Sequence, residues 1–236
     1  GEIILIKTFL SFSHLFYFKY MEHITSEEIT GMEKLFRLNL INSVTGYKSA
    51  NLIATKSKEN GVNVAVFSSV THLGSDPALL DFITRPTKEV PRNTYKNIKE
   101  NQYFTVNHIQ KDMIESAHQT AAKYDEEISE FQKTGLEEEY LDNFFAPYVK
   151  QSNVKLGCKF VNEYYIKEND TVMVIGAIEH IYFDESIQAP DGWLRLDDAE
   201  TVAINGLDGY ALPNLLDRFH YARPGQEIKS FFKKDD

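Results

Sequence analysis

The chain has 236 residues, 42% of them hydrophobic and 13% aromatic, and a formal net charge of −10 at pH 7. At this length about three-quarters of the unfolded surface can be buried, which fits one large β-rich domain or two small ones with room for a ligand cavity, and the composition argues against disorder except at the ends. The acidic balance also excludes a nucleic-acid surface: phosphate neutralisation needs clustered Lys and Arg, and the short basic tail 229–234 is cancelled by Asp235 and Asp236.

Residues 1–20 are apolar and aromatic, but Lys7, His14 and Lys19 interrupt a run that falls short of the ~20 apolar residues of a membrane span. No small-residue cleavage site follows them. Gly1 stands where an initiating Met would, and Met21 followed by Thr25-Ser26-Glu27-Glu28 makes a natural start and helix cap. Residues 1–20 are therefore expected to be an apolar extension that packs on the body or on a partner chain, and residues 21–236 a single domain without a membrane anchor. A helix capped by Thr25 or Ser26 should open that domain. Residues 46–55 read as a strand, Asn60-Gly61 is a strong hairpin signal, and 62–69 read as the returning strand. A third strand over 78–84 ends at Arg85-Pro86. A short helix from Asn93-Thr94 to 100 leads into a β-branched and aromatic strand over 103–109. Apolar spacing at Met113, Ile114, Ala117, Ala121 and Tyr124 predicts one or two inserted helices over 111–131. The acidic stretch 134–146 reads as surface helix and loop. Two long strands, 154–166 and 171–183, are joined by the polar turn Lys167-Glu168-Asn169-Asp170, and 212–220 read as a last short helix before Arg223-Pro224. The expected fold is mainly β with helical insertions.

The stretch from Gly46 to Asn97 gathers the features of a site for an anion and a planar ring. Small residues, among them Ser49, Ala50, Ala65, Ser68 and Ser69, let backbone N–H groups approach a ligand closely. Lys48 and Arg85 supply fixed positive charge, and Asn93-Thr94 opens a helix whose free N–H groups favour an anion. Each element also has a plainer reading: hydroxyls at strand ends form turns, and Asn93 can be no more than an N-cap. Their convergence is the argument, since one phosphoester needs cation, hydroxyl and helix terminus together. Other chemistries find no support. The seven histidines show no H-E-x-x-H spacing and Cys158 has no companion thiol, so a zinc site is not expected. G-x-G-x-x-G, G-x-x-x-x-G-K-[ST] and G-x-S-x-G are all absent. The lone Cys158, in the apolar run 154–161, reads as core and fits a reducing compartment such as the cytoplasm.

These residues carry a resemblance. The order Gly46-Tyr47-Lys48-Ser49-Ala50-Asn51, Asn63-Val64-Ala65, Phe67-Ser68-Ser69-Val70-Thr71-His72, Arg85-Pro86, Thr94-Tyr95-Lys96-Asn97-Ile98 and Thr105-Val106-Asn107-His108 resembles the flavin reductase-like, FMN-binding split-barrel family. It continues through Ser129-Glu130-Phe131, Leu156-Gly157-Cys158-Lys159, Gly206-Leu207-Asp208-Gly209-Tyr210 and Tyr221-Ala222-Arg223-Pro224. The resemblance implies a split β-barrel, a homodimer with the flavin at or near the subunit interface, and an oxidoreductase that passes hydride from NADH or NADPH to FMN and on to a flavin, a protein or a small acceptor. It implies that Lys48 to Asn51, Asn63 to Ser69 (Asn63, Val64, Ala65, Phe67, Ser68 and Ser69 above all), Arg85, and Asn93, Thr94 and Asn97 hold FMN, with Lys48, Arg85 and Thr94 on the phosphate and 63–67 on the ring edge. No protein acid or nucleophile is obligatory; His72 and His118 are the histidines expected nearest the flavin. An FMN-carrying electron-transfer protein without its own NAD(P)H activity is the alternative.

Overall fold

The computed structural model describes residues 21–59, 61–85, 93–124 and 128–232. The apolar segment 1–20 and Asn60 and Pro86 of the expected turns lie outside them. Contacts divide the chain at Leu38 into two compact units. In the first, α1 (Ser26–Gly31) is closed by a capping box: the Glu28 N–H donates to Thr25 Oγ1 at 3.3 Å and the Thr25 N–H donates to Glu28 Oε2 at 2.7 Å. Helix α2 (Lys34–Val44) starts in this unit, where Glu33 Oε2 accepts from the Leu35 and Phe36 N–H groups.

The second unit, residues 39–236, holds the sheets. The expected strand over 46–55 is broken at Ala50 into β1 (Lys48–Ser49) and β2 (Asn51–Lys56). Next come β3 (Val62–Phe67), a strand not anticipated, β4 (Thr71–Ser75), and β5 (Ala78–Thr84). After α3 (Asn93–Asn101) and β6 (Tyr103–His108), the inserted helical region is a 3₁₀ turn over Lys111–Met113 with α4 (Ile114–Gln119), and then α5 (Glu130–Thr134). The stretch 134–146, expected as surface helix and loop, carries a short strand instead, β7 (Glu138–Glu139), which pairs with β8 (Tyr148–Val149) just beyond it. The long pair is as expected, β9 (Val154–Ile166) and β10 (Thr171–Phe183). Two further strands, β11 (Ala203–Asn205) and β12 (Gly209–Ala211), turn at Gly206, whose φ of +66° suits a residue without Cβ. No helix forms over 212–220; that segment is irregular and mostly exposed.

Seven antiparallel strands form one sheet in the order β3-β2-β6-β9-β10-β5-β4. Its two outermost strands, β3 and β4, are joined by residues 68–70 alone, so the sheet has to curl until its edges meet. Ser69 makes the seam: its Oγ accepts from the Ile83 N–H at 3.0 Å and donates to the Ile83 carbonyl at 3.2 Å. Inside the barrel lie Ile53, Leu80, Phe82, Phe104, Val106, Cys158 and Val174, and Ile98 of α3 plugs one end. The thiol of Cys158 is core, as expected, and burial pushes its pKa up. Gly176 is needed here because a Cβ would stand 2.5 Å from Phe104 Cζ. A second core, with Ala50, Leu52, Ala54, Val64, Met113, Ala117, Phe131 and Ile204, fills the space between the outer face of β2 and β3, the helices α4 and α5, and the small sheet β1-β11-β12.

Candidate functional site

The register of β2 and β3 decides where the candidate residues fall. Thr55 faces Asn63 at one end of the pair and Asn51 faces Phe67 at the other, about 13 Å apart along the strand. Helix α3 docks on the Thr55 end. Asn63 Nδ2 donates to Thr94 Oγ1 at 2.9 Å, Asn97 Nδ2 donates to Thr55 Oγ1 at 3.0 Å, and Asn101 Nδ2 donates to the Lys56 carbonyl at 2.8 Å. Arg85 is exposed at the same end, one residue beyond Thr84, which pairs with Val172.

Lys48 lies at the opposite end, three residues before Asn51. Its Nζ donates to the carbonyls of Asn42 at 2.7 Å and Gly46 at 3.3 Å, closing the loop after α2. The expected phosphate cluster of Lys48, Arg85 and Thr94 is therefore not assembled: Arg85 and Thr94 share one end of the barrel and Lys48 the other. A lysine close in sequence to a glycine-led strand looked like a ligand because the strand break at Ala50, which turns it toward the helix loop, has no local signal.

Several other candidates serve the fold. Ala50 and Val64 are buried in the outer core. The ring-edge N–H groups of β3 already have partners, since Val64 N–H donates to Glu130 Oε2 at 3.2 Å and Val66 N–H donates to Thr120 Oγ1 at 2.9 Å. Glu130 and Thr120 thus cap the outer edge of β3, a role assigned to neither from sequence, although Ser129-Glu130-Phe131 stood out. Burial raises the pKa of the Glu130 carboxyl, against the opposing pull of the backbone N–H groups it accepts from. Ala65, Phe67 and Ser68 are half-buried, and the Phe67 ring meets Phe82 edge-on at 5.3 Å. His118 is exposed with Nδ1 3.2 Å from the Tyr210 hydroxyl, whereas His72 is exposed on β4, so the two histidines belong to different faces.

Two cavities stand out among the described residues. One, of about 690 Å³, lies where the β2–β3 hairpin meets α3 and α5; Asn63, Asn93, Asn97, Lys58, Lys96 and Glu130 line it. Its size is that of a site for a cofactor. The N-terminus of α3 opens onto it through Asn93, offering N–H groups to an anion. A phosphorylated planar cofactor would find its cationic side here in the α3 N-terminus with Lys58 and Lys96, set against the lining carboxylates Glu59, Glu100, Glu130 and Glu138; Arg85 stands outside the lining. The other cavity, of about 190 Å³, is the open mouth of the barrel at the far end and takes Ser49, Asn51 and His72. Among the described residues no group of three or more His, Cys, Asp or Glu side chains could hold a metal, and no helix is long and apolar enough to cross a membrane.

Comparison with known proteins settles the family. A flavin reductase like domain matches residues 46–198, well over half of the chain. The chain belongs to the flavin reductase-like family. A split-barrel protein described as a flavin reductase, from Shewanella frigidimarina, is 42% identical and superposes with a TM-score of 0.83 over 86% of this chain and 100% of that one. YwrF of Bacillus subtilis is 28% identical over 183 residues, 75% of this chain and 83% of YwrF. Nitrilotriacetate monooxygenase component B of Bacillus cereus, at 17% identity and a TM-score of 0.73 over 84% of this chain and 98% of that one, shares the fold. The flavin reductase-like chain is thus a mainly β split barrel, and its class of chemistry is flavin-related oxidation and reduction.

Proposed function

We propose that this flavin reductase-like protein binds FMN and passes hydride from NADH or NADPH through it to a free flavin, a protein or a small acceptor. The observation that carries the reading is the 690 Å³ cavity at the α3 end, which combines a helix N-terminus, lysines and the edge of β3 within the part of the chain that matches the family. Bound there, FMN would supply the hydride-accepting ring.

The protein's share is binding and orientation. Arg85 and the first-turn N–H groups at Asn93 and Thr94 would hold the phosphate; the Thr94 hydroxyl, already accepting from Asn63, fixes the helix rather than the ligand. Asn63 and Asn97, tied to Thr94 and Thr55, hold the cavity wall still. Val62 and Asn63 are the β3 residues on the cavity wall, with Ala65, Phe67 and Ser68 further along the strand, while Glu130 and Thr120 keep the edge of β3 from pairing with another strand. Ser49, Asn51 and His72 stand at the barrel mouth and are left out of this assignment. The working unit in this reading is a homodimer: residues 212–232 run out and fold back through a turn at 224–226, with Leu216, Phe219, Tyr221, Ile228 and Phe232 exposed, an apolar arm that a second copy would cover. The buried, unpaired Cys158 suits a reducing compartment, the cytoplasm.

Arg85→Ala tests the phosphate assignment. It should weaken FMN by about 1.5–3 kcal/mol and leave riboflavin, which has no phosphate, nearly unchanged. Equal loss for both flavins in a titration would remove Arg85 from the site. Steady-state NADH and NADPH oxidation with and without added FMN separates a reductase from an electron carrier, which would bind the flavin and oxidise neither nucleotide.

A further inference from the structure

The barrel is plugged at the α3 end and open at the other. Its mouth is walled by Val70, Leu79, Leu80, Val106, Leu156 and Ile178, drawn from four of its strands and the seam. Among the described residues no Asp, Glu, Lys or Arg lines it, so a charged molecule would lose its hydration there without compensation. A cavity of about 150 Å³ is enough to hold benzene, and this one measures about 190 Å³.

The polar rim is nearly used up by its own members. Ser49 Oγ donates to the Val70 carbonyl at 2.7 Å and accepts from Asn51 Nδ2 at 3.0 Å, and Thr71 Oγ1 donates to Asp81 Oδ1 at 2.5 Å. The two histidines of the rim are the exceptions: His72 is exposed to water on β4, and His108 is not. His108 is the one set inside the mouth. It stands opposite Asn51 across the β2–β6 pair, and its Nδ1 is sealed from water with no hydrogen-bond partner. Burial takes its pKa down to about 4, so at neutral pH the ring is uncharged and keeps one acceptor nitrogen.

We propose that the barrel mouth is a second ligand site, separate from the FMN cavity, that takes a small neutral six-membered ring bearing one hydrogen-bond donor, with His108 accepting from that donor. Phenol is the probe and toluene, the same shape with methyl in place of hydroxyl, its control. In isothermal titration of the full-length protein, phenol should bind one site per chain with a dissociation constant in the millimolar range or below, and should shift the His108 ring ¹⁵N resonances. His108→Phe should weaken phenol about tenfold while leaving toluene within about twofold, the loss of one hydrogen bond at constant shape. Leu79→Trp, which fills the mouth, should abolish binding of both probes, with far-ultraviolet circular dichroism confirming that the variant folds. The proposal is overturned if wild-type protein binds neither probe, if His108→Phe weakens both equally or neither, or if a folded Leu79→Trp binds as the wild type does.

Discussion

His108 shows how a single half-buried ring couples the fold to pH. A neutral imidazole is preferred in the folded chain, where burial takes the pKa to about 4, against an ordinary value of about 6.5 in the unfolded chain. Above pH 6.5 neither state holds the proton and His108 gives no pH dependence. As the pH falls from 6.5 toward 4 the unfolded chain takes the proton first, so stability is lost across that window, by up to about 3 kcal/mol. Chemical denaturation at pH 7 and pH 4.5 should show a larger loss for wild type than for His108→Phe; parallel losses would mean that the carboxylates alone set the acid limit. Glu130 acts at the same scale by a different route. Glu130→Ala should cost about 1–3 kcal/mol because the N–H of buried Val64 loses its acceptor, and Glu130→Gln, which keeps an acceptor oxygen, should recover most of it in urea melts.

At the scale of elements, the long hairpin β9–β10 is the frame on which the barrel closes. The two strands run thirteen residues each, and their register shifts between Ile175 and Gly176, where the ladder bulges. That shift and the missing Cβ of Gly176 admit the Phe104 ring into the barrel. Gly176→Ala should therefore destabilise by about 1–3 kcal/mol through overpacking, read as a lower urea midpoint with an unchanged slope. Helix α3 is the second decisive element. Its buried Thr94, Asn97 and Ile98 fasten it to the β2–β3 hairpin and the barrel interior, and its exposed N-terminus faces the larger cavity. One helix thus plugs the barrel and presents an anion site, which ties cofactor binding to the stability of the barrel end.

At the scale of the whole molecule, the exposed apolar arm after Ala211 predicts association. Leu216 and Tyr221 are 88% and 89% exposed, more than a lone chain gains from leaving in water. A stable dimer covering this arm would bury ~2,000 Å² or more. Sedimentation equilibrium at micromolar concentration should give a dimer, and removing residues 212–232 should give a monomer that retains the barrel's circular dichroism. A full-length monomer under those conditions would rule out the arm as an interface.

Much of the barrel was legible in the residues themselves. The alternation and β-branching of β3, β5, β6, β9 and β10, the Thr25 capping box and the apolar run around Cys158 are local properties, fixed by backbone sterics and side-chain spacing within a few residues. The family pattern likewise depended on chain order alone. What the sequence could not decide was which distant residues meet. Lys48 and Thr94 each looked fit for a phosphate, yet the antiparallel register of β2 and β3 sets them at opposite ends of the barrel and gives Lys48 to the Asn42 and Gly46 carbonyls. Glu130 and Thr120 became edge caps, and His108 an unpaired ring at an open mouth, only once the sheet had curled, because hydrogen-bond partners 54 and 66 residues apart are chosen by strand order and curvature rather than by any local propensity. The absent helix at 212–220 has the same cause: a segment that buries little against its own chain draws no stabilisation from helical periodicity and takes its shape from whatever covers it.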